Sequence, residues 1–450
     1  AMGTHTEKNS GTLISGVALD TRALQKGELF FALRGSRDGH DFVKQAFEKG
    51  AAAAVVERDL EVNGPTLKVA DTSQALGYLA NSVRKNWKGD VVAISGSNGK
   101  TTTKEMTSAL LSADRATLKA PGTWNNQLGV PLTLLLLRPT HKATVLEMGM
   151  NAYGEIRGLG RIAQHNVAVL TNVGPAHLEK FGSLEGVARA KGELFEALPP
   201  DGVAVVNLDD RHIRKLADSI SVKKISISMG ERADVTVKIV KDLGNRGYIL
   251  QVQYGSTPIE LETPFVGIHN IYNLLCALGA AWVVGVPAEK LPEGIRAIEP
   301  MEMRLEMLEL DRGIRIVNDC YNANPASMVV ALEVTKNLGG LRQVAVIGDM
   351  MELGELSPRA HRDIGIKVAH LKYAHLFALG QFAGDVRQGA IQGGMTQSQI
   401  TVSKNHTEMA DAVSRKTQPN DTILIKGSRG MKMEEITKAL VEALGRKEKR

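Results

Sequence analysis

A strand-like apolar run, Val91 to Ser95, ends in Gly96-Ser97-Asn98-Gly99-Lys100-Thr101-Thr102, and a helical pattern starts there. Glycines at such a junction permit a tight turn. The free N–H groups at the helix start and the helix dipole both favour an anion. In this setting Lys100 has the reach to pair with the β- and γ-phosphates of a nucleotide, and the Thr101 hydroxyl suits Mg²⁺. The usual phosphate loop places four residues between its first glycine and the Gly-Lys pair. That spacing would put glycine where Ile94 stands, so only the shorter Gly-x-x-Gly-Lys-Thr form is present. The alternative is a turn that uses its glycines for geometry alone. The strand before and the helix after favour ATP or GTP.

Phosphoryl transfer depends on positioning and on neutralising charge, so carboxylates and imidazoles at strand ends near this loop come next. Glu147 closes the run "ATVLE", and His177 follows "VAVLTNVGPA". The carboxyl ends of parallel strands are where open α/β sheets bind ligands. Each residue alone reads equally as an ordinary strand exit or a structural histidine. Lys191 lies on an amphipathic helical stretch, where solvent exposure is the ordinary state of a lysine. Asn270 and Asn273 stand three apart on a helix and share a face. Their amides match the donor–acceptor edge of adenine, or else cap and solvate the helix. Asp319 ends a further strand-like run, where a carboxylate can take ribose hydroxyls or close a turn.

The elements that must hold these residues are legible in outline. The chain has 450 residues, 43% hydrophobic and 23% charged, which fits several folded domains. Strand-like runs alternate with helical patterns along most of it, predicting α/β domains with mainly parallel sheets. We expect three: residues 1–88 as a small α/β domain, 89–302 as the central phosphate-loop domain, and 303–450 as a Rossmann-like open sheet. The opening "AMGTHT" is left out of this reading. The segments "KKISISM", "ADVTVKIV" and "GYILQVQY" alternate polar and apolar residues and are expected to add antiparallel strands to the central sheet. "PLTLLLL" is too short to span a membrane and reads as a buried element. No secretory signal pattern opens the chain. Its two cysteines lie far apart in apolar surroundings and suit a reducing, cytoplasmic setting. A net charge of +6 favours anionic ligands, but aromatics at 4% and no dense basic block before "GRKEKR" argue against nucleic acid.

The loop "GSNGKTTTKEM" resembles that of the Mur ligases, and folylpolyglutamate and cyanophycin synthetases have a similar one. The resemblance runs in order along nearly the whole chain. It implies an enzyme that uses ATP to turn a carboxylate into an acyl phosphate, which an amine then attacks. It implies that Gly96, Ser97, Asn98, Gly99, Lys100, Thr101 and Thr102 cradle the phosphates, and that Glu147 and His177 join Thr101 in binding Mg²⁺. It further implies that Lys191 is carbamylated by CO₂ and binds a second Mg²⁺. The His-Asn-x-x-Asn pattern at Asn270 and Asn273 implies adenine, and Arg304 is implied to touch ATP phosphate from the third domain. Asp20, Thr21, Arg22, Asp38, Gly39 and His40 resemble segments lying near the uridine nucleotide of the substrate, and Asn125 and Asn126 a loop holding the muramoyl-peptide end. "DCYNANPASM", "VIGDMMELG" and "IKGSRGMKMEEI" are similar to the member that adds D-alanyl-D-alanine to UDP-N-acetylmuramoyl tripeptide. Asn322, Asn324 and Asp349 are then candidate contacts for the dipeptide, although Asn-Pro also simply makes turns. The expectation is a cytoplasmic monomer with neither nucleic acid nor membrane as partner. The tripeptide-forming ligase or a folylpolyglutamate synthase is the nearest alternative, and a nucleotide-dependent switch the more distant one.

Overall fold

The computed structural model describes residues 11–176, 178–299 and 301–445. His177 therefore lies outside the described residues. Three sheets follow one another along the chain.

The first has four parallel strands: Val17–Ala18, Leu29–Phe31, Ala53–Val56 and Thr66–Lys68. Alternating residues of "LFF" and "AAVV" face opposite sides. Phe30, Ala54 and Val56 pack with Val43 and Ala46, while Leu29, Phe31 and Val55 pack with Ala75 and Leu76. The helix carrying Leu76, Thr72–Asn86, starts where the Asp71 side chain accepts the Gln74 N–H, the exchange that favours aspartate at a helix N-cap.

The central sheet has nine strands in the order Thr257–Thr263, Tyr248–Tyr254, Val235–Asp242, Lys223–Ser228, Val203–Asn207, Val167–Leu170, Asp90–Ser95, Ala143–Glu147, Thr117–Lys119. Its middle strands are apolar throughout because both faces are covered. Val92 and Ile94 face a core with Met106, Leu110 and Leu274, whereas Val91 and Ala93 face one with Val130, Leu146 and Ile156. "PLTLLLL" falls largely in the helix Gly129–Leu135 of that second layer.

One expectation is corrected. Lys223–Ser228 runs parallel to Val203–Asn207, and Val235–Asp242 pairs parallel with Lys223–Ser228 over two residue pairs. Only the pairings among Val235–Asp242, Tyr248–Tyr254 and Thr257–Thr263 are antiparallel. Alternation reports that one face is wet, not which way a strand runs. The helix Arg211–Asp218 between Val203–Asn207 and Lys223–Ser228 supplies the crossover that a parallel pairing needs.

The third sheet has the order Glu306–Glu309, Arg315–Asp319, Asp421–Lys426, Arg342–Gly348, His375–Leu379, Ile400–Ser403. Its first strand is antiparallel and the others are parallel. Among the described residues no helix is long and apolar enough to cross a membrane.

Candidate active site

The strand Asp90–Ser95 feeds the loop, and the helix Lys100–Ser112 leaves it. Gly99 sits at φ 80°, and a Cβ built on it would lie 2.1 Å from Asn273 Oδ1. The position demands glycine twice over, by backbone conformation and by space. The loop is laced to the carboxyl end of the strand Val167–Leu170. Thr171 Oγ1 donates to the Asn98 carbonyl at 2.6 Å, Asn98 N–H donates to Asn172 Oδ1 at 3.0 Å, and Gly174 N–H donates to Ser97 Oγ at 2.8 Å.

Two lysines converge on one loop carbonyl. Lys100 Nζ donates to Gly96 O at 3.0 Å and Lys191 Nζ to the same oxygen at 2.9 Å. Burial lowers the Lys100 ammonium from its ordinary value, with Glu147 opposing the shift and Arg304 adding to it. Burial, reinforced by the Lys100 charge, pushes Lys191 well below the ordinary lysine range. Lys191 is 2% exposed, so the fold departs from the surface position ordinary for a lysine on an amphipathic helix. Its helix, Leu184–Glu196, packs Val187, Ala190 and Leu194 into the core on one face of the central sheet and brings Lys191 to the loop.

Thr101 is the hub. Its hydroxyl donates to Glu147 Oε2 at 2.7 Å and accepts from Arg304 Nη2 at 2.8 Å. The other Glu147 oxygen accepts from Asn125 Nδ2 at 2.8 Å. Arg304 also stacks over the Tyr321 ring, 4.1 Å from its centroid. Asn324 Nδ2 donates to Asn98 Oδ1 at 2.7 Å. Two residues of the third unit thus reach the phosphate loop. Together they bound a cavity of about 1290 Å³, which extends from the phosphate loop past Asn270, Tyr272 and Asp319 to Met351 and Ser428.

The remaining expected residues divide. Thr102 is buried in the first turn of the helix. Asn273 donates to Asn270 Oδ1 at 3.1 Å, and Asn270 donates to the Val266 carbonyl at 2.9 Å. Both border the cavity on one helix face. Asp319 borders it too, with its carboxylate held by Lys426 Nζ at 2.5 Å and by Leu305 N–H at 3.1 Å. Asn322 lines it and gives its carbonyl to Lys426. Asn126 lines it too, and its Oδ1 accepts from the Leu128 and Gly129 N–H groups. Asp349 does not line the cavity. Its carboxylate accepts the N–H groups of Gln381 and Phe382.

The six residues of the first unit also lie off this cavity. Asp20 and Arg22 pair with each other at 2.5 Å near the surface. Thr21 is buried against Gln45. Asp38 caps the turn Gly39–Phe42 and faces His40 Nδ1 at 2.6 Å, while His40 Nε2 accepts the Glu57 N–H. Gly39 allows the close approach of Leu33, whose nitrogen would stand 2.6 Å from an added Cβ.

Thr101 and Glu147 present oxygens 2.7 Å apart at the phosphate loop, a donor set that suits Mg²⁺. Among the described residues no three His, Cys, Asp or Glu side chains gather as a metal site.

Three residues of the site go unnoticed in the sequence. Thr171 and Asn172 directly follow a strand, and that position is the signal that could have found them. Lys104 reads as a solvated helix lysine, yet it is fully buried. It donates to the carbonyls of Ala120 at 2.9 Å and Gly122 at 2.5 Å and pairs with Glu105 at 3.0 Å. It thereby anchors the turn leading to Asn125. Lys104→Met is expected to lower stability by about 1–3 kcal/mol, since the buried Ala120 carbonyl and the partly buried bond to Gly122 lose their donor. Chemical denaturation measures this, and an unchanged midpoint would refute it.

Residues 13–84 match the Mur ligase family catalytic domain, 94–281 the Mur ligase middle domain, and 303–429 the Mur ligase glutamate ligase domain. The chain is 36% identical to the UDP-N-acetylmuramoyl-tripeptide--D-alanyl-D-alanine ligase of Bacillus subtilis, over 96% of this chain and 94% of that one. It superimposes on the crystal structure of MurF from Acinetobacter baumannii with TM-score 0.87, at 34% identity over 95% of this chain and 94% of that one. The MurF ligase of Thermotoga maritima in complex with ADP gives TM-score 0.83, at 28% identity over 96% and 98%.

Proposed function

The chain belongs to the Mur ligase family, and from that premise we propose that it joins D-alanyl-D-alanine to UDP-N-acetylmuramoyl tripeptide at the cost of ATP, in peptidoglycan precursor synthesis. The contact that carries this reading is Arg304 on Thr101, because it brings the third unit over the phosphate loop. A ligase needs that juxtaposition, since its acceptor must meet the activated carboxylate before water does.

The tripeptide's terminal carboxylate attacks the γ-phosphorus of ATP. A carboxylate O–P bond forms, the bond to the ADP oxygen breaks, and an acyl phosphate results. The dipeptide amine then adds to the acyl carbon, the tetrahedral intermediate expels phosphate, and the amine proton leaves with the new amide in place. Lys100, Arg304 and the N–H groups at the helix start, from Gly99 to Thr102, meet the charge on the transferring phosphoryl group. Mg²⁺, when bound through Thr101 and Glu147 and, by family resemblance, His177, would neutralise phosphate charge. Lys191 as a carbamate would offer the oxygens for a second ion. Asn270 and Asn273 hold the adenine and Asp319 the ribose. Asn125 and Asn126 approach the muramoyl-peptide end.

The division of labour follows the three sheets. Residues 1–88, with Asp20, Thr21, Arg22, Asp38, Gly39 and His40, take the uridine nucleotide. Residues 89–302 take ATP. Residues 303–450 take the dipeptide, with Asn322 and Asn324 facing the shared cavity, and Asp349 supports that end of the sheet through the backbone it holds. The enzyme works as a cytoplasmic monomer.

Phosphate release is the test. With ATP and UDP-N-acetylmuramoyl tripeptide present, sustained release is expected only once D-alanyl-D-alanine is added. Steady ADP formation indifferent to the dipeptide would overturn the assignment.

A further inference from the structure

The segment after the strand Arg342–Gly348 is held in an unusual way. It runs through Asp349, Met350, Met351, Glu352 and Leu353 and a short turn, Gly354–Leu356, into the helix Ser357–His370. Glu352 sits at φ 63°, the left-handed region, although it is not glycine. Such a conformation persists only where the surroundings over-determine it, and it clusters at functional sites. Met351, Glu352 and Leu353 all border the cavity shared with the phosphate loop. The turn also meets the central unit, where the side chain of Glu179 lies against Gly354.

A single buried ring fixes both ends of this segment. The Met350 N–H donates to His361 Nε2 at 2.8 Å, so the ring proton resides on Nδ1, where it is donated to the Ser357 carbonyl at 2.7 Å. The imidazole is fully buried and stacks on Phe382, with centroids 4.7 Å apart. On the cavity side, Met351 N–H donates to Ser428 Oγ at 2.8 Å and Ser428 N–H to the Asp349 carbonyl at 2.9 Å. The clamp leaves two apolar side chains at the apex, Met351 half exposed and Leu353 buried.

We propose that His361 is a positioning residue and that the Met350–Leu356 segment it clamps sets Met351 and Leu353 as apolar contacts for the acceptor's small methyl side chains. This rests on the dipeptide reading above. The acceptor amine must meet the activated carboxylate within the cavity that this segment and the phosphate loop both border. His361 touches no reacting atom. It acts through the backbone it holds, and losing its acceptor nitrogen frees the apex without altering the phosphate loop.

The test is steady-state phosphate release by the full-length enzyme, varying each substrate in turn. His361→Phe keeps the ring's volume and stacking but leaves the Met350 N–H unpaired. It is expected to raise KM for D-alanyl-D-alanine about 10-fold while KM for ATP and for the muramoyl tripeptide stays within about twofold. His361→Gln keeps a hydrogen-bond acceptor and is expected to fall between wild type and His361→Phe. Met351→Ser changes a half-exposed side chain, so folding is not at stake, and it too is expected to raise the dipeptide KM selectively. A dipeptide KM unchanged in Met351→Ser and in every folded His361 variant overturns the proposal. So does a parallel rise in all three KM values. Wild-type enzyme that ignores the dipeptide overturns the acceptor assignment and this proposal together, whereas a dipeptide-dependent wild type with unmoved variants overturns this proposal alone.

Discussion

Lys191→Ala is expected to lower turnover by about 10²–10³-fold, the usual cost of removing one charged group that acts on a developing phosphoryl charge. The physical grounds lie in where the amine sits. Lys191 is almost wholly buried on Gly96 O, next to Lys100, which makes the same contact. Two cations in so little water repel each other, and burial drives Lys191 toward the neutral amine. A neutral amine is the form that adds CO₂. On the carbamate proposed above, the N–C bond would form with loss of a proton from the nitrogen, and the side chain would change from cation to anion. Because the pKa is lowered, the neutral amine persists to lower pH than in an ordinary lysine and is lost as pH falls through that lowered value, so activity falls on the acid side. Acetate added to Lys191→Ala should partly restore turnover by placing a free carboxylate in the vacated space, and Lys191→Arg should not respond to it. Phosphate-release assays with and without acetate decide the matter, and full activity of the unsupplemented alanine variant would sink the idea.

The second large effect concerns a methyl group. Gly99→Ala is expected to weaken ATP binding by about 10²-fold or more, from left-handed strain of about 1–3 kcal/mol and overpacking of similar size. The new Cβ would stand 2.1 Å from Asn273 Oδ1, and Asn273 is itself tied to Asn270 and approached by Thr103 Oγ1 at 3.4 Å. Relief by rotating Asn273 would therefore disturb its bond to Asn270 at the border of the cavity. The double variant Gly99→Ala/Asn273→Ala removes the clash but not the strain, and chemical denaturation should show it less destabilised than the sum of the two single variants. Wild-type affinity in Gly99→Ala would refute the steric account.

These two positions mark what a sequence tells and what it withholds. The phosphate loop is legible because its chemistry is local: a strand, two glycines and a helix start lie within a dozen residues. Glu147 at a strand exit and the common face of Asn270 and Asn273 are legible for the same reason. The support beneath them is not local. Asn273 lies under Gly99 across the sequence, and Lys104 holds carbonyls 16 and 18 residues away. The helix reading assigns Lys191 to solvent because it cannot know which neighbour covers its polar face. The direction of Lys223–Ser228 was misjudged because alternation describes a face and not a polarity. Asp349 has the right residue type in the right kind of loop, yet both its oxygens serve the backbone at Gln381 and Phe382.

The Thr101 hydroxyl carries one proton, and it is committed to Glu147, so the oxygen is free to accept from Arg304. The two contacts fix a single rotamer between them. A rotation that satisfied one partner alone would break the contact with the other. Thr101 thus works as a coincidence detector. Its geometry is complete only when the carboxylate beneath it and the guanidinium from the third unit are present together. A nucleotide bound by the central sheet without Arg304 would meet a site lacking that guanidinium.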